Sequence, residues 1–245
     1  MLKLLSGQEV RVLSRSTSPR VPDGVAAVRG DLAAGWGIDE AVAGADIVAH
    51  LATGGARRVQ QTDVDGTRRL ADAARRAGVT NFFYISIVGI DREPISHYGY
   101  YAAKLAAERA IEASGVPHTI LRATQFPTLI HMFLALSDRL PAQLAFRHVR
   151  FQLLDVREAA ERCVAALTPD AGGRLPDVGG PRVETMETLA CAYLRHRASR
   201  KPLVQVSLPG KAYAGFRLGQ NLCPENPVGS LTWEDYLDRV IPAPR

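Results

Sequence analysis

Residues 81–89 have the sequence NFFYISIVG, a short apolar and aromatic run between a helical pattern and a loop. A continuous apolar run of this length is typical of a strand that a parallel sheet buries on both faces. Other short apolar strands are predicted at residues 25–28 and 45–51, and strong helical patterns flank the run at residues 60–78 and 98–114. This alternation of strands and helices predicts an α/β fold.

The helix predicted at residues 98–114 carries Tyr100 and Lys104. Positions four apart lie one above the other on a helix, so these two side chains share a face while Tyr101 points elsewhere. A phenol is a poor acid or base at neutral pH, but a nearby ammonium favours the phenolate and lowers the phenol pKa by about one to three units. The pair is therefore a candidate for general acid–base chemistry. The other interpretation is a half-buried ring beside a solvated charge.

A family resemblance supports the chemical interpretation. From Phe82 to Phe126 the segments YISIVGI, YYAAKLAAE and ASGVPHTILRATQF resemble the atypical, NmrA-like branch of the short-chain dehydrogenase/reductase superfamily, and the resemblance extends along nearly the whole chain. It implies a Rossmann-type, doubly wound parallel sheet. Residues 1–126 are expected to form an NAD(P)-binding domain, and residues 127–245 a small α/β lobe on the substrate side.

The beginning of the chain departs from the family pattern. Residues 1–5 are expected to end a helix that Ser6 and Gly7 stop, and residues 9–13 to form a strand. The resemblance implies an earlier strand and a glycine-rich turn that holds the cofactor pyrophosphate, and neither precedes this helix. We therefore expect an N-terminally truncated sheet. Two explanations stay open, a start site inside a longer reading frame or a genuine truncation.

The resemblance places the adenosine end of a cofactor against two segments. Ser14, Arg15 and Ser16 follow the first strand, where an Arg matches the 2′-phosphate of NADP and a carboxylate would select NAD. NADP is therefore the expected cofactor, with NAD possible, although Arg15 could equally be an exposed turn residue. Asp31 and Leu32 would flank the adenine, or Asp31 would only cap the following turn.

The resemblance also places residues along the rest of the cofactor. Ala52, Thr53 and Gly54 belong to a second cofactor-contacting turn that continues through Gly55 and Ala56. Thr124 and Phe126 lie in the segment that passes the nicotinamide in the family, and Lys104 there bridges the nicotinamide ribose.

Ser86 completes the expected catalytic set. A Ser or Thr at the end of this strand hydrogen-bonds the substrate carbonyl in the superfamily, but Ile87 stands where members resembling this chain often carry a second Ser. Ser86 could instead only satisfy a backbone group. The resemblance implies an oxidoreductase acting on a small carbonyl, enone or quinone-like substrate, with Tyr100 moving the proton. The alternative is a non-catalytic NADP-binding sensor, which the Ile87 departure favours.

Composition excludes several other classes of protein. The 245 residues carry a net charge of +5, and the densest basic cluster, Arg195 to Lys201, coincides with a predicted helix end that favours cations, so no nucleic-acid partner is expected. Cys163, Cys191 and Cys223 are widely spaced and suggest neither a disulfide framework nor a metal site. No apolar run is long enough to span a bilayer. We expect a cytoplasmic monomer or homodimer, with His131 as a partnered core imidazole.

Overall fold

The computed structural model describes residues 1–5, 7–54 and 58–241. Ser6, Gly55 and Ala56, for which the sequence predicts a helix stop and part of a turn, lie outside the described residues. The strands are β1 (Val10–Ser14), β2 (Val25–Arg29), β3 (Ile47–His50), β4 (Asn81–Ile87), β5 (His118–Ala123), β6 (Gln143–Phe146), β7 (Arg150–Gln152), β8 (Gly173–Arg174), β9 (Val183–Thr185) and β10 (Leu203–Val206).

The helices are α1 (Ile38–Val42), α2 (Thr67–Arg76), α3 (Gly99–Ser114), α4 (Pro127–Leu136), α5 (Val156–Ala165), α6 (Met186–His196), α7 (Lys211–Arg217) and α8 (Trp233–Val240). A π-helical segment, Val59–Gly66, runs directly into α2, and short 3₁₀ turns lie at Leu2–Leu4 and Ile95–His97. The predicted helix at residues 60–78 is thus divided, since its first half is π-helical.

Two compact units make up the chain, and each is assembled from separate segments. The first unit comprises Met1–Ser86, Gly99–Leu121 and Ala160–Leu175, and the second comprises Ile87–Tyr98, Arg122–Ala159 and Pro176–Arg245. A domain boundary between residues 126 and 127 stays a prediction.

Parallel strand pairing defines the first unit. The β3 strand pairs with β4 in parallel, with Ile47 opposite Asn81, and the four-stranded sheet has the order β3-β4-β5-β8. A separate parallel pair joins β1 to β2. Among the described residues no ladder joins β1 to β3, and the missing first strand stays a prediction. The predicted α/β fold with a parallel sheet is confirmed.

Helices α2 and α3 supply the core of the first unit. Leu70 and Ala74 lie on one face of α2, and they pack with Phe82 of β4 and Ile111 of α3 in a single buried cluster. Complete burial of a Phe or Ile side chain stabilises a fold by about 1.5–3 kcal/mol. This packing fixes α3 on β4, and so places the residues of α3 beside the carboxyl end of the strand.

The second unit contains the pairs β6–β10, which is parallel, and β7–β9, which is antiparallel. Trp233 is fully buried there, stacks on Tyr236 at 5.3 Å, and donates its indole N–H to the Leu189 carbonyl. His131 Nδ1 lies 3.0 Å from the Tyr236 hydroxyl, which confirms His131 as a partnered imidazole, and burial lowers its pKa.

Helix α6 ends at His196, so the basic cluster does begin at a helix end as predicted. No helix among the described residues has the length and apolar character that crossing a membrane requires.

Candidate cofactor and active site

Lys104 is the most deeply buried cation of the candidate site. Its side chain is 4% exposed, its Nζ donates to the Ile85 carbonyl at 2.8 Å, and the ammonium lies 4.0 Å from the centroid of the Tyr84 ring. A cation over an aromatic face is stabilised by the ring quadrupole, and more strongly where water is excluded. Helix α3 therefore places the Lys104 ammonium at the carboxyl end of β4.

Burial and charge act in opposite directions on the Lys104 ammonium. Desolvation is the larger effect and lowers the pKa of Lys104 from 10.5 to about 8, whereas the negative charges of Asp63 and Glu108 raise it. The same environment lowers the pKa of His50 to about 3, through burial and then the charge of Lys104. Burial also holds the pKa of the Tyr84 phenol well above 10. His50 and Tyr84 are thus neutral at physiological pH.

Tyr100 lies on α3 one turn before Lys104, as its spacing predicts. Its hydroxyl oxygen is 3.4 Å from Thr53 Oγ1, so the structure brings the turn after β3 to the first turn of α3. Thr53 is exposed and Tyr100 is half-buried, which leaves this pair of hydroxyls accessible to a small molecule.

Ser86 is buried near the carboxyl end of β4. Only 3% of the residue is exposed, and its hydroxyl has no hydrogen-bond partner among the described residues. The Ser86 hydroxyl thus bonds no described backbone group, and its role in the site stays a prediction. A buried hydroxyl without a partner is costly to the fold and is typical of a functional position.

Asp63 was missed in the sequence analysis. It is 1% exposed on the π-helical segment, and its Oδ2 accepts from the Gly54 N–H at 2.7 Å. A Cβ at Gly54 would lie 2.5 Å from the Arg58 carbonyl oxygen, so only glycine allows the turn to approach the helix this closely. The sequence carries one signal that could have found Asp63. Positions 63, 67, 70 and 74 recur at helical spacing, which places the Asp63 carboxylate on an otherwise apolar helix face.

The segment predicted to contact the adenosine end of the cofactor, residues 14–16, forms a turn at the end of β1. The Ser14 hydroxyl accepts from the Ser16 N–H at 3.2 Å, and the Ser16 hydroxyl accepts from the Ser18 N–H at 3.1 Å. Arg15 is exposed between them. Two successive serine caps thus shape the turn that presents the guanidinium to solvent.

Asp31 caps the turn after β2. Its Oδ1 accepts from the backbone N–H groups of Ala33 at 2.8 Å and Ala34 at 3.4 Å, and its Oδ2 lies 3.9 Å from Arg58. Capping is confirmed, and a contact with adenine stays a prediction. Leu32 packs against the core of the first unit. A cavity of about 240 Å³ lies here, lined by Asp31, Ala33, Ala34, Arg58 and Gln61.

The remaining predicted cofactor residues divide between the units. Ala52 is exposed in the first unit, on the same turn as Thr53 and Gly54. Thr124 belongs to the second unit, where its hydroxyl accepts from the Gly180 N–H at 3.2 Å, and Phe126 is half-buried there as the residue that precedes α4. Contacts of these residues with a cofactor stay predictions. No cluster of potential ligands suited to a metal ion occurs among the described residues.

A parallel α/β sheet with a buried Lys and an exposed turn at the ends of its strands is typical of Rossmann-type folds, which bind ligands at this edge of the sheet. A family model described as NAD(P)H-binding matches residues 2–128. The chain belongs to this NAD(P)H-binding family. No curated protein gave a significant match.

Solved structures share the fold at low sequence identity. A nucleoside-diphosphate-sugar epimerase from Staphylococcus aureus matches with a TM-score of 0.76 at 16% identity, covering 96% of this chain and 92% of its own. The NADPH-dependent quinone oxidoreductase of Escherichia coli, complexed with NADPH, matches with a TM-score of 0.75 at 15% identity, covering 98% and 93%. An enzyme of Bordetella bronchiseptica in complex with NAD⁺ matches with a TM-score of 0.68 at 17% identity, covering 85% and 80%.

Proposed function

We propose that this protein is an NAD(P)H-dependent oxidoreductase that prefers NADP(H) and acts on a small carbonyl, enone or quinone-like substrate. One observation carries the proposal. The buried Lys104 ammonium is held at the Ile85 carbonyl, next in sequence to Ser86, whose buried hydroxyl has no partner in the described chain. A fold that only needed stability would place apolar groups at both positions, since each of these polar groups costs free energy when it is buried.

Each residue has a role that its chemistry supports. The Lys104 ammonium has three N–H donors, of which the Ile85 carbonyl accepts one, so the others are able to hold the nicotinamide ribose hydroxyls. The bound nicotinamide supplies the hydride. Tyr100 donates the proton that balances it, Lys104 favours the resulting phenolate, and Ser86 donates a hydrogen bond to the substrate oxygen.

Arg15 is the residue proposed to select the cofactor. A guanidinium matches the 2′-phosphate of NADP bidentately, and Arg15 is exposed in the serine-capped turn at the end of β1. The relevant measurement is the Kd of NADPH and of NADH by fluorescence titration, for wild type and Arg15→Ala. Arg15→Ala should weaken NADPH binding at least tenfold and leave NADH binding nearly unchanged. Arg20→Ala removes an exposed arginine farther along the same loop and is the control.

Turnover is tested with a small quinone and a small enone as probe substrates. Tyr100→Phe should lower kcat by at least a hundredfold while the Kd of NADPH stays at the wild-type value, because the phenol acts on the proton and not on the cofactor. Unchanged turnover in Tyr100→Phe would rule out the proposed acid.

The second candidate is a sensor that binds NADP(H) without turnover. It is favoured by Ile87, which replaces a hydroxyl at the end of β4 with an apolar group. NADPH binding without reduction of any carbonyl, enone or quinone probe would select the sensor. Failure to bind either dinucleotide would exclude both candidates.

A further inference from the structure

We propose that His97 and Lys211 bind an oxyanion, the chemistry that a phosphate group and a carboxylate share, at a site that Glu93 orients. All three residues belong to the second unit, whereas Tyr100 and Lys104 belong to the first. The three residues take no part in the proposed function, so the test needs neither a dinucleotide nor turnover.

The Glu93 carboxylate orients the His97 ring. Glu93 Oε2 lies 2.8 Å from His97 Nδ1, and Glu93 Oε1 accepts from the Ser96 hydroxyl. An ionised carboxylate only accepts hydrogen bonds, so the proton of the neutral ring lies on Nδ1 and Nε2 is left as an acceptor. Lys211 Nζ lies 3.3 Å from this Nε2 and donates to it. The imidazole and the ammonium therefore meet at the ring edge that Glu93 does not occupy.

Close backbone packing brings the elements that carry His97 and Lys211 together. His97 ends the 3₁₀ turn Ile95–His97, and Lys211 begins α7. A Cβ at Gly215 of α7 would lie 2.5 Å from the Cβ of Ile95, so only glycine allows the helix to approach the turn this closely. The meeting of the two side chains thus follows from the packing of the elements that carry them.

Residues at and beyond the end of α7 hold the same turn. The Gln220 side-chain carbonyl accepts from the Ile95 N–H at 3.0 Å, and its amide donates to the Glu93 carbonyl. The Tyr98 ring meets the Phe216 ring edge-on, with their centroids 6.1 Å apart. Fixed elements beneath exposed side chains are what a preformed binding site requires.

The charge of Lys211 is left without a carboxylate. Lys211 makes no ion pair with a described residue, and Glu93 is engaged by Ser96 and by the opposite nitrogen of His97. The ammonium has three N–H donors, of which His97 accepts one, so two are available to a ligand. His97 and Lys211 are both exposed, so an anion can reach them.

An oxyanion would accept one hydrogen bond from each of the two side chains. The Lys211 ammonium turns a donor to it, and His97 takes up one proton from water at Nε2, which changes from acceptor to donor. The His97–Lys211 pair then carries two positive charges, and both hydrogen bonds are charge-assisted. A cation would be repelled by this pair, and a neutral ligand would gain less from it.

The experiment titrates sulfate, inorganic phosphate and acetate into the protein at constant ionic strength and follows the ring nitrogens of His97 by NMR. The chain has six histidines, so the His97 signals are assigned by comparison with His97→Gln. Lys211→Met removes the ammonium. Arg217→Met removes an equal charge from an exposed position of the same helix and is the matched control.

We expect His97 to be the Nδ1–H tautomer in the free protein at mildly alkaline pH, and sulfate to convert it to the imidazolium. Lys211→Met should weaken sulfate binding at least tenfold, the usual effect of losing one charge-assisted hydrogen bond. Arg217→Met should keep the wild-type affinity. Tighter binding of phosphate than of acetate would assign the site to a phosphate group, and the reverse order would assign it to a carboxylate.

Two results would overturn the oxyanion site. His97 signals that respond to none of the three anions would exclude it, and this result needs no variant. An equal loss of affinity in Lys211→Met and Arg217→Met would show that only the general charge of α7 attracts anions. The proposed function is tested separately, through NADPH binding and turnover of the probe substrates.

Discussion

Lys104 and Ser86 are buried polar residues at positions where the packing alone would accept apolar side chains. Lys104 keeps a charge away from water, and Ser86 keeps a hydroxyl without a partner in the described structure. Residues that lower stability in this way are expected to cluster where a protein acts on a ligand. Stability measurements therefore test the site independently of any substrate.

Replacement of Ser86 should stabilise the protein. Ser86→Ala removes a buried hydroxyl without a partner, so we expect the free energy of unfolding to rise by about 1 kcal/mol while turnover falls. Chemical denaturation measures the first effect.

The matched control for Ser86→Ala is Thr119→Val. The Thr119 hydroxyl accepts from the Gly172 N–H at 2.9 Å, and its loss should lower the free energy of unfolding by about 1 kcal/mol. If Ser86→Ala destabilises as much as Thr119→Val does, the Ser86 hydroxyl has a structural role after all.

Lys104 should make stability depend on pH. Its pKa is lowered from 10.5 to about 8 in the folded chain, so between those values the unfolded chain binds more protons and stability rises with pH. The full window corresponds to roughly 3 kcal/mol. We expect the unfolding free energy of wild type, minus that of Lys104→Met, to increase from pH 8 to pH 10.5. A difference that stays flat would show that Lys104 titrates normally.

Part of the site was predictable from the sequence. Tyr100 and Lys104 were found because helical spacing is a local property, and α3 begins within a residue of its predicted start. Asp63 was missed because its link to the site is a hydrogen bond to Gly54, nine positions earlier, through a turn whose path the sequence does not specify. The missing partner of Ser86 is likewise a property of its surroundings.

At the scale of elements, strands with continuous apolar runs were predictable. Strand β4 spans residues 81–87, within the apolar run at residues 81–89 that predicts it. The short strands β6 and β9 were missed, because each is stabilised by a partner distant in sequence and has no periodic pattern of its own. The π-helical geometry of Val59–Gly66 was missed as well, since its composition is compatible with an α-helix.

Helix α8 offers a test of a single cap. The Thr232 hydroxyl accepts from the Asp235 N–H, and the Asp235 carboxylate accepts from the Thr232 N–H at 2.8 Å, which forms a capping box. Thr232→Ala should lower the free energy of unfolding by about 1 kcal/mol at pH 7, and Thr232→Ser should restore most of it.

The same cap should weaken in acid. Hydrogen bonds from Thr232 lower the pKa of Asp235, so its contribution is present above the unfolded pKa and is lost as pH falls through the folded one. The destabilisation caused by Thr232→Ala, measured by denaturation, should therefore be smaller at pH 3 than at pH 7. An equal effect at both pH values would mean that Asp235 takes no part in the cap.

At the scale of the whole molecule, a cofactor that binds only the folded chain must raise its stability. NADPH at a hundred times its Kd for wild type should add about 2.7 kcal/mol to the free energy of unfolding of wild type. This corresponds to a rise in Tm of several degrees for a chain of this length. The rise should be unchanged in Tyr100→Phe and largely lost in Lys104→Met, because only Lys104 is assigned to the ribose. Differential scanning calorimetry of the three proteins makes the comparison, and equal rises would remove Lys104 from the cofactor contacts.

The π-helical segment also determines which genetic changes the site tolerates. Successive residues of a helix point in different directions around its axis, so loss of one codon between Asp63 and Thr67 would turn Asp63 away from its present direction relative to the packed face of α2. Its carboxylate would leave Gly54, although no residue of the site had been replaced. Insertions and deletions in this segment should therefore be rejected during evolution more strictly than substitutions at its exposed positions.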